Sequence, residues 1–231
     1  MCYIMKGKTA VLLILMIISC IFYYSWINED SEIITGKVVR VIDGDTVELG
    51  DFDKVRLKGL NAPESFMSSG DNSTKFLSDL VLNKTLRIDT FGRDKYDRML
   101  GYLVLDDVNV NAEILRRGLA TLYYYEEDKY YEDMIVAEEF ARINELGIWG
   151  KSSRENCISL VLLDFEEPER LVLKNDCGVE IEVLIKDDAT HIYEETLGIG
   201  EFVLETSHIW NDDGDSVYVY DDEGLVEFYR W

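Results

Sequence analysis

The sequence predicts an α+β architecture in three parts: one apolar N-terminal helix, a small closed five-stranded β-barrel with helices near its strand ends, and an all-β sandwich. Three observations predict it. Residues 10–27 form an uncharged run rich in Leu, Ile, Val and aromatics. Five short β-rich segments follow between 33 and 105, with helical spacing confined to 71–82, 109–117 and 130–146. From Ile158 onward the pattern is strands alone, with Gly and Asp turn signals between them.

The first part spans residues 1–30. At the rise of an α-helix its apolar run reaches roughly 27 Å, about one hydrocarbon core. Lys6 and Lys8 precede it, and Glu29, Asp30 and Glu32 follow. The positive-inside rule then leaves the N-terminus in the cytoplasm and places the remaining chain outside, membrane-anchored and extracytoplasmic. Two readings of this segment stand: an anchoring helix, or a cleaved export signal. In the second, Ile17-Ile18-Ser19-Cys20 is similar to a lipoprotein signal with Cys20 as the lipidated residue.

The barrel part spans 33–150. Segment 33–42 is β-rich, and Gly44-Asp45 turns it into 46–49; a polar Gly50-Asp51 turn leads to 54–58. Pro63 ends this extended stretch. Asp71, Asn72 or Ser73 can cap the helix 71–82, whose Phe76, Leu77, Leu80 and Val81 recur at helical spacing. Strands at 85–90 and 100–105 complete five, which suggests a barrel of the OB type. Gly118 ends a short helix over 109–117, and Gly147 ends a longer one over 130–146. Trp149 is expected to pack back against the barrel.

A polar link, 151–156, leads to the third part, 157–231. Runs at 158–165, 170–175, 179–185, 191–194, 202–205, 216–220 and 226–231 read as the strands of a compact sandwich. Cys157 and Cys177 lie twenty residues apart. In an oxidising compartment they can form a disulfide; two buried free thiols are the other reading. The chain holds only two histidines, and no Cys-x-x-Cys motif, which argues against a zinc centre.

Charge divides the chain further. The formal net charge is -23. Residues 155–231 hold 4 Lys and Arg against 21 Asp and Glu, so -17 of it lies there. Phosphate affinity depends on Lys and Arg, so that third is a poor nucleic-acid surface. The barrel part keeps Lys54, Arg56, Lys58, Arg87, Arg93, Lys95, Arg98, Arg116 and Arg117.

Within the barrel part, five short segments carry the parts that phosphoryl transfer needs. Asp43-Gly44-Asp45-Thr46 offers carboxylates from a turn, and hard cations such as Ca²⁺ take oxygen ligands in a loose shell. Arg56 and Arg98 offer permanently charged forks that fit two phosphate oxygens. Asn61-Ala62-Pro63-Glu64 offers a carboxylate able to draw a proton from water. Lys95-Tyr96 adds a cation and a ring.

These residues carry a resemblance. Val41 to Thr46, Val55 to Glu64, Asp94 to Arg98, 109–120 and Gly147-Ile148-Trp149 resemble, in order, the motifs of the staphylococcal-nuclease-like thermonucleases. The resemblance implies Ca²⁺ as cofactor and DNA and RNA as substrates, cut endonucleolytically to leave 3′-phosphates. It makes Asp45 the principal metal ligand, with Asn61 and the Ala62 backbone carbonyl beside it and Asp43 behind. The position of Asn61 usually carries a carboxylate in that family, so weaker metal binding is expected here. It makes Arg56 and Arg98 the phosphate-binding cations, Glu64 the general base, and Lys95 and Tyr96 contacts to a terminal phosphate. Tyr124 lies near a nucleotide-stacking tyrosine. A barrel that binds nucleic acid without cutting it, or a surface-interaction protein, is the alternative, and Asn61 is the one residue in its favour.

The last part resembles the lamin-tail domain at 169–175, at 197–201 and at 210–221. That resemblance implies an immunoglobulin-like sandwich and an attachment role toward an unidentified surface partner. Asp212, Asp213 and Asp215 invite a second calcium reading against that of a solvated hairpin turn.

Overall fold

The computed structural model describes residues 31–51, 53–63, 70–124, 127–189, 191–211 and 214–231. The apolar segment 10–27, Glu64, Asp212 and Asp213 lie outside these residues. Among the described residues no helix is long and apolar enough to cross a membrane.

The strand β1 (Glu32–Val41) organises the barrel. Its first half pairs with β5 (Thr85–Arg93) and its second half with β2 (Thr46–Leu49), the change falling at an irregularity between Val38 and Arg40. An extra residue at such a point bends a strand and increases its twist. β2 continues to β3 (Lys54–Leu57), and β5 to β6 (Met99–Leu105). Parallel pairing of β3 with β6 (Val55 to Met99, Leu57 to Gly101) closes the barrel. The five expected strands are therefore present and closed. Val38, Val47, Leu49, Val55, Leu57, Ile88 and Leu103 point inward and are buried, as period-two alternation requires.

Three short strands escaped the sequence pattern: β4 (Leu60–Asn61), β7 (Val108–Asn109) and β8 (Thr121–Leu122). Two-residue strands carry no periodicity to read. β4 pairs with β8, opposing Asn61 to Thr121.

The helices close the barrel. In α1 (Gly70–Val81), Ser73, Leu77 and Val81 are buried at spacings of four, one face of a helix. α2 (Val110–Arg116) is capped by Asn109, whose side chain accepts from the Asn111 and Ala112 amides. Asn111 is wholly buried and ties the end of β3 to β6: Nδ2 donates to Lys58 O and Gly101 O, and Oδ1 accepts from Leu103 N. α3 (Tyr131–Ile143) stops before the expected 146, because Glu145 and Gly147 take left-handed φ of 53° and 56°. A short 3-10 turn, Gly147–Trp149, follows.

Gly118 and Gly147 meet where α2 and α3 end. The Ile148 amide donates to Gly118 O at 2.8 Å. A Cβ on Gly118, itself at φ +65°, would fall 1.9 Å from Leu146 O, a backbone atom that cannot swing away. Gly118→Ala is expected to destabilise the chain by about 2 kcal/mol or more, from left-handed strain plus the clash. Urea denaturation checks this; a midpoint equal to wild type would show that the turn has room.

The sandwich stacks two sheets. One has the order β13 (Gly200–Thr206), β10 (Glu169–Asn175), β9 (Ile158–Asp164). The other has the order β12 (Ile192–Leu197), β11 (Ile181–Lys186), β14 (Ser216–Tyr220), β15 (Leu225–Arg230). All seven expected runs are strands. Leu171, Leu173, Ile181, Val183, Ile185, Val217, Val219 and Trp210 fill the space between the sheets. Cys157 and Cys177 form a disulfide, joining the start of β9 to the turn after β10.

Trp149 corrects one expectation. It joins Ala141 of α3 to Tyr218, Leu225 and Phe228 of the sandwich, rather than folding back on the barrel core. Its ring lies 5.1 Å from Phe228 and 5.8 Å from Tyr218, centroid to centroid. The left-handed Gly147 turn directs the chain that way. The polar link is equally engaged: Leu225 N donates to Gly150 O, Ser152 N to Leu225 O, and Arg154 pairs with Asp221, Asp222 and Glu223.

Candidate active site

The barrel presents Asp45 at the tight turn between β1 and β2. The Asp45 amide donates to Asp43 Oδ1 at 3.1 Å, which folds the turn on itself. The carboxylate then points inward and is 7 % exposed. Its Oδ1 accepts from Thr46 Oγ1 at 3.0 Å, and its Oδ2 from the Ala62 amide at 2.9 Å. Arg56 Nη2 approaches the same Oδ2 at 3.2 Å.

Arg56 stands opposite Thr46 in the β2–β3 register, between the inward Val55 and Leu57. Its guanidinium is a structural hub as well as a charge. Nη1 donates to Leu57 O at 2.8 Å and Leu60 O at 2.9 Å, and Nη2 to Asn61 Oδ1 at 3.1 Å. Burial raises the Asp45 carboxyl to about 6; Arg56 pulls it back down and neighbouring Asp43 pushes it further up. A carboxylate so deprived of water holds its charge at neutral pH only with help from a cation.

Arg98 comes from the β5–β6 turn. Its Nε and Nη2 each lie 2.7 Å from Asp94 Oδ2, and Nη1 lies 3.5 Å from Thr46 Oγ1. Asp94 also accepts from the Tyr96 and Arg98 amides through Oδ1. Burial raises the Asp94 carboxyl, but the hydrogen bonds from Arg98 and Tyr96 outweigh it and leave it below its ordinary value. Asp94 thus builds the turn that aims Arg98. In the sequence Asp94 stood only as the first residue of the Asp94–Arg98 motif, with no role of its own. Thr46 touches both sides: its hydroxyl binds Asp45 and faces Arg98, and its backbone opposes Arg56.

The remaining candidates divide. Lys95 and Tyr96 are exposed on the same turn, with the Tyr96 ring 5.1 Å from Lys95 Nζ and 5.4 Å from the Arg98 guanidinium. Tyr124 faces elsewhere. Its hydroxyl bonds to Tyr102 and Asp128, and its ring stands edge-on to Tyr131, a packing arrangement inside the barrel wall. Asn61 reaches outward: Oδ1 accepts from Arg56, while Nδ2 donates to Asp188 O at 3.1 Å and Ala189 O at 2.6 Å in the sandwich. No sequence signal foretold that contact, since it joins residues 127 and 128 positions apart.

Among the described residues no three His, Cys, Asp or Glu side chains form a group that could hold a metal ion. The donors at hand are the Asp45 carboxylate, the Asn61 amide oxygen and backbone carbonyls, with Asp43 adjacent. All are hard oxygens, and the buried Asp45 lacks full compensation. This set fits a calcium ion better than a softer metal.

Comparison with known proteins agrees with this geometry. The family profile described as Staphylococcal nuclease homologue matches residues 54–151. An uncharacterized endonuclease of Escherichia coli O157:H7 is 38 % identical over 135 residues, covering 56 % of this chain and 85 % of the relative. The thermonuclease of Staphylococcus intermedius is 31 % identical over 166 residues, 63 % of this chain and 99 % of the relative. A micrococcal nuclease of Shigella flexneri is 32 % identical over 126 residues, 49 % of this chain and 72 % of the relative. With the closed barrel, the Asp45, Arg56 and Arg98 arrangement, and relatives covered over most of their length, the chain belongs to the staphylococcal nuclease family.

Proposed function

We propose that this chain is a calcium-dependent endonuclease that hydrolyses DNA and RNA with little sequence preference and leaves 3′-phosphate ends. One observation carries the reading: a buried carboxylate, Asp45, lies between two guanidinium groups, one bonded to it and the other aimed at the adjacent Thr46 hydroxyl. Bound at Asp45, calcium supplies positive charge to a phosphate oxygen and lowers the cost of attack by water. Arg98 binds the phosphate and stabilises the charge that grows in the five-coordinate transition state. Arg56 shares that role and holds the floor of the site. Glu64 takes the proton from the attacking water. Lys95 and Tyr96, exposed beside Arg98, contact a terminal phosphate. Recognition through backbone phosphates leaves base edges unread. Salt depresses cleavage, because the acidic sandwich leaves the basic cleft little long-range attraction to spare.

The chain works outside the cytoplasm, tethered through 10–27 or released by cleavage there. The sandwich serves as a lamin-tail-like attachment module toward a surface partner.

The test is plasmid nicking with and without EGTA, on wild type and Glu64→Ala. Wild type is expected to nick only with calcium, and Glu64→Ala to lose about 100-fold or more in rate, at the lower range for a missing general base. Nicking that survives EGTA would remove the calcium reading. Nicking absent at every calcium concentration would favour a non-catalytic, nucleic-acid-binding barrel.

Calcium should also be visible without substrate. The Asp45 carboxyl is raised by burial, so the folded chain holds that proton more tightly than the unfolded chain. Its favourable contribution is present in acid and is lost as pH rises through about 6. A cation compensates the ionised form, and ligand at 100 times its Kd adds about 2.7 kcal/mol. Calcium is therefore expected to raise Tm clearly at pH 7.5 and little at pH 5, measured by scanning fluorimetry. An equal rise at both pH values would mean that the ion binds away from Asp45.

A further inference from the structure

The sandwich touches the barrel at the one site residue that departs from the family pattern. Asn61 spends both ends of its amide. Oδ1 accepts from Arg56, and Nδ2 donates to the carbonyl oxygens of Asp188 and Ala189. An aspartate has no hydrogen to offer those carbonyls. Its charge would face two oxygens at hydrogen-bond distance.

The described residues around this contact are held by several hydrogen bonds. Asp187 accepts from the His191 amide at 3.1 Å and from its Nδ1 at 2.6 Å. The Asp188 amide donates to Asp215 Oδ1 at 3.2 Å. The Asp188 carboxylate accepts from Ser216 Oγ at 3.0 Å and from the Tyr218 hydroxyl at 2.6 Å. Arg230 then donates to the Tyr218 hydroxyl at 3.0 Å and forms an ion pair with Glu138 of α3. Glu138 accepts from the Leu122 amide of β8 at 2.6 Å, and β8 pairs with β4 at Asn61 itself. The contacts form a closed circuit: Asn61, Asp188, Tyr218, Arg230, Glu138, β8 and back to Asn61.

We propose that the sandwich is a working wall of the catalytic cleft, and that Asn61 is a positioning residue latched to it. The Asp188–Ala189 carbonyls fix the Asn61 amide. The amide orients the Arg56 guanidinium, and that guanidinium holds Asp45. The amide stands where the family usually carries a carboxylate because it must donate to the sandwich. The wall also shapes access. Beside Asn61 it presents the Asp188 and Ala189 carbonyl oxygens and the Asp188 carboxylate, and its Arg230 is engaged by Glu138 and the Tyr218 hydroxyl, so the polynucleotide lies toward Arg98, Lys95 and Tyr96. The catalytic half of this inference rests on the nuclease reading above; the latch itself does not.

Two full-length variants test it. Asn61→Asp restores the family's usual charge and abolishes the latch. Tyr218→Phe keeps the ring beneath Trp149 and removes only the hydroxyl that holds Asp188 and Arg230. Hydrogen exchange over 187–189, calcium half-saturation, and kcat and KM on single-stranded DNA are measured for each. Asn61→Asp is expected to speed exchange about tenfold and lower kcat about tenfold, without tighter calcium half-saturation, as the loss of two hydrogen bonds implies. Tyr218→Phe is expected to lower kcat about threefold well below its Tm, with KM held within about twofold, the pattern of lost transition-state alignment. Unchanged exchange in Asn61→Asp, with tighter calcium and a higher kcat, would make Asn61 a weakened metal ligand and nothing more. A wild-type kcat in Tyr218→Phe would overturn the positioning role even if Asn61→Asp failed to fold. A wild type that cuts nothing would remove the nuclease reading and the catalytic half with it, and the exchange measurement would then decide the latch alone.

Discussion

Replacing Arg56 with methionine is expected to lower stability by about 4 kcal/mol and to cut the cleavage rate about a thousandfold. The stability loss has two sources. Asp45 is 7 % exposed, and Arg56 is the cation bonded to its carboxylate. Removing one partner of a buried pair leaves an uncompensated charge, which costs more than the pair contributed. Leu57 O and Leu60 O lose their guanidinium donors at the same stroke. The rate loss follows because the same side chain orders the floor of the site and faces the phosphate. Arg56→Lys separates the two effects. A lysine restores the charge but not the planar fork that reaches Leu57 O, Leu60 O, Asn61 and Asp45 together, so it recovers stability in part and rate little. Adding Asp45→Asn to Arg56→Met removes the stranded charge and should return part of the lost stability, a coupling that a double-mutant cycle reads directly. Urea denaturation and initial rates of plasmid nicking are the measurements. If Arg56→Lys matches wild type in both, neither the hub nor the fork matters.

The parts of this molecule that were legible in its sequence are those in which neighbours in the chain are neighbours in space. The five barrel strands stood out as β-rich runs between turn residues, although only β3 alternates cleanly and Gly101–Val104 of β6 are buried without a break, and the turn at Asp43-Gly44-Asp45 needs only its own residues to form. Arg56 and Arg98 could be named because each sits in a motif of a few residues. Gly118 and Gly147 were legible as chain punctuation, Gly118 just after α2 and Gly147 four residues past the end of α3 at Ile143. Their mutual approach was not, since it depends on two distant turns meeting. The pairing of β4 with β8 left no periodic trace in two residues. Only the resemblance placed Tyr124 near a nucleotide-stacking tyrosine, the tyrosine run itself reading as packing, and Tyr102 and Asp128 bond to its hydroxyl. Asn61 shows the limit most clearly. Its identity was noticed as a lost charge, and its partner was invisible because recognition across more than 120 residues has no local signature.

Removing the indole at Trp149 is expected to act on the barrel and the sandwich together. Trp149 is 1 % exposed and touches Ala141 on one side and Tyr218, Leu225 and Phe228 on the other. Trp149→Ala should cost about 4 kcal/mol, the range for truncating a buried aromatic. The cavity opens where the two parts meet. Arg230, which reaches Glu138 across that junction, would lose the packing that holds Phe228 and Tyr218 beneath it. The resulting variant should unfold in urea in two steps where wild type unfolds in one, and trypsin should cut at Lys151 or Arg154. Cleavage activity should fall well below the temperature of the first step, because the Asp188–Ala189 loop that anchors Asn61 depends on the same junction. Trp149→Phe should be mild by comparison. Among the described residues the buried indole Nε1 has no hydrogen-bond partner, so replacing it with phenylalanine surrenders area but no bond. If Trp149→Ala keeps one transition and wild-type resistance to trypsin, the barrel and sandwich are held together by their polar contacts, Arg230 with Glu138 and Gly150 with Leu225, and the aromatic cluster only fills space between them.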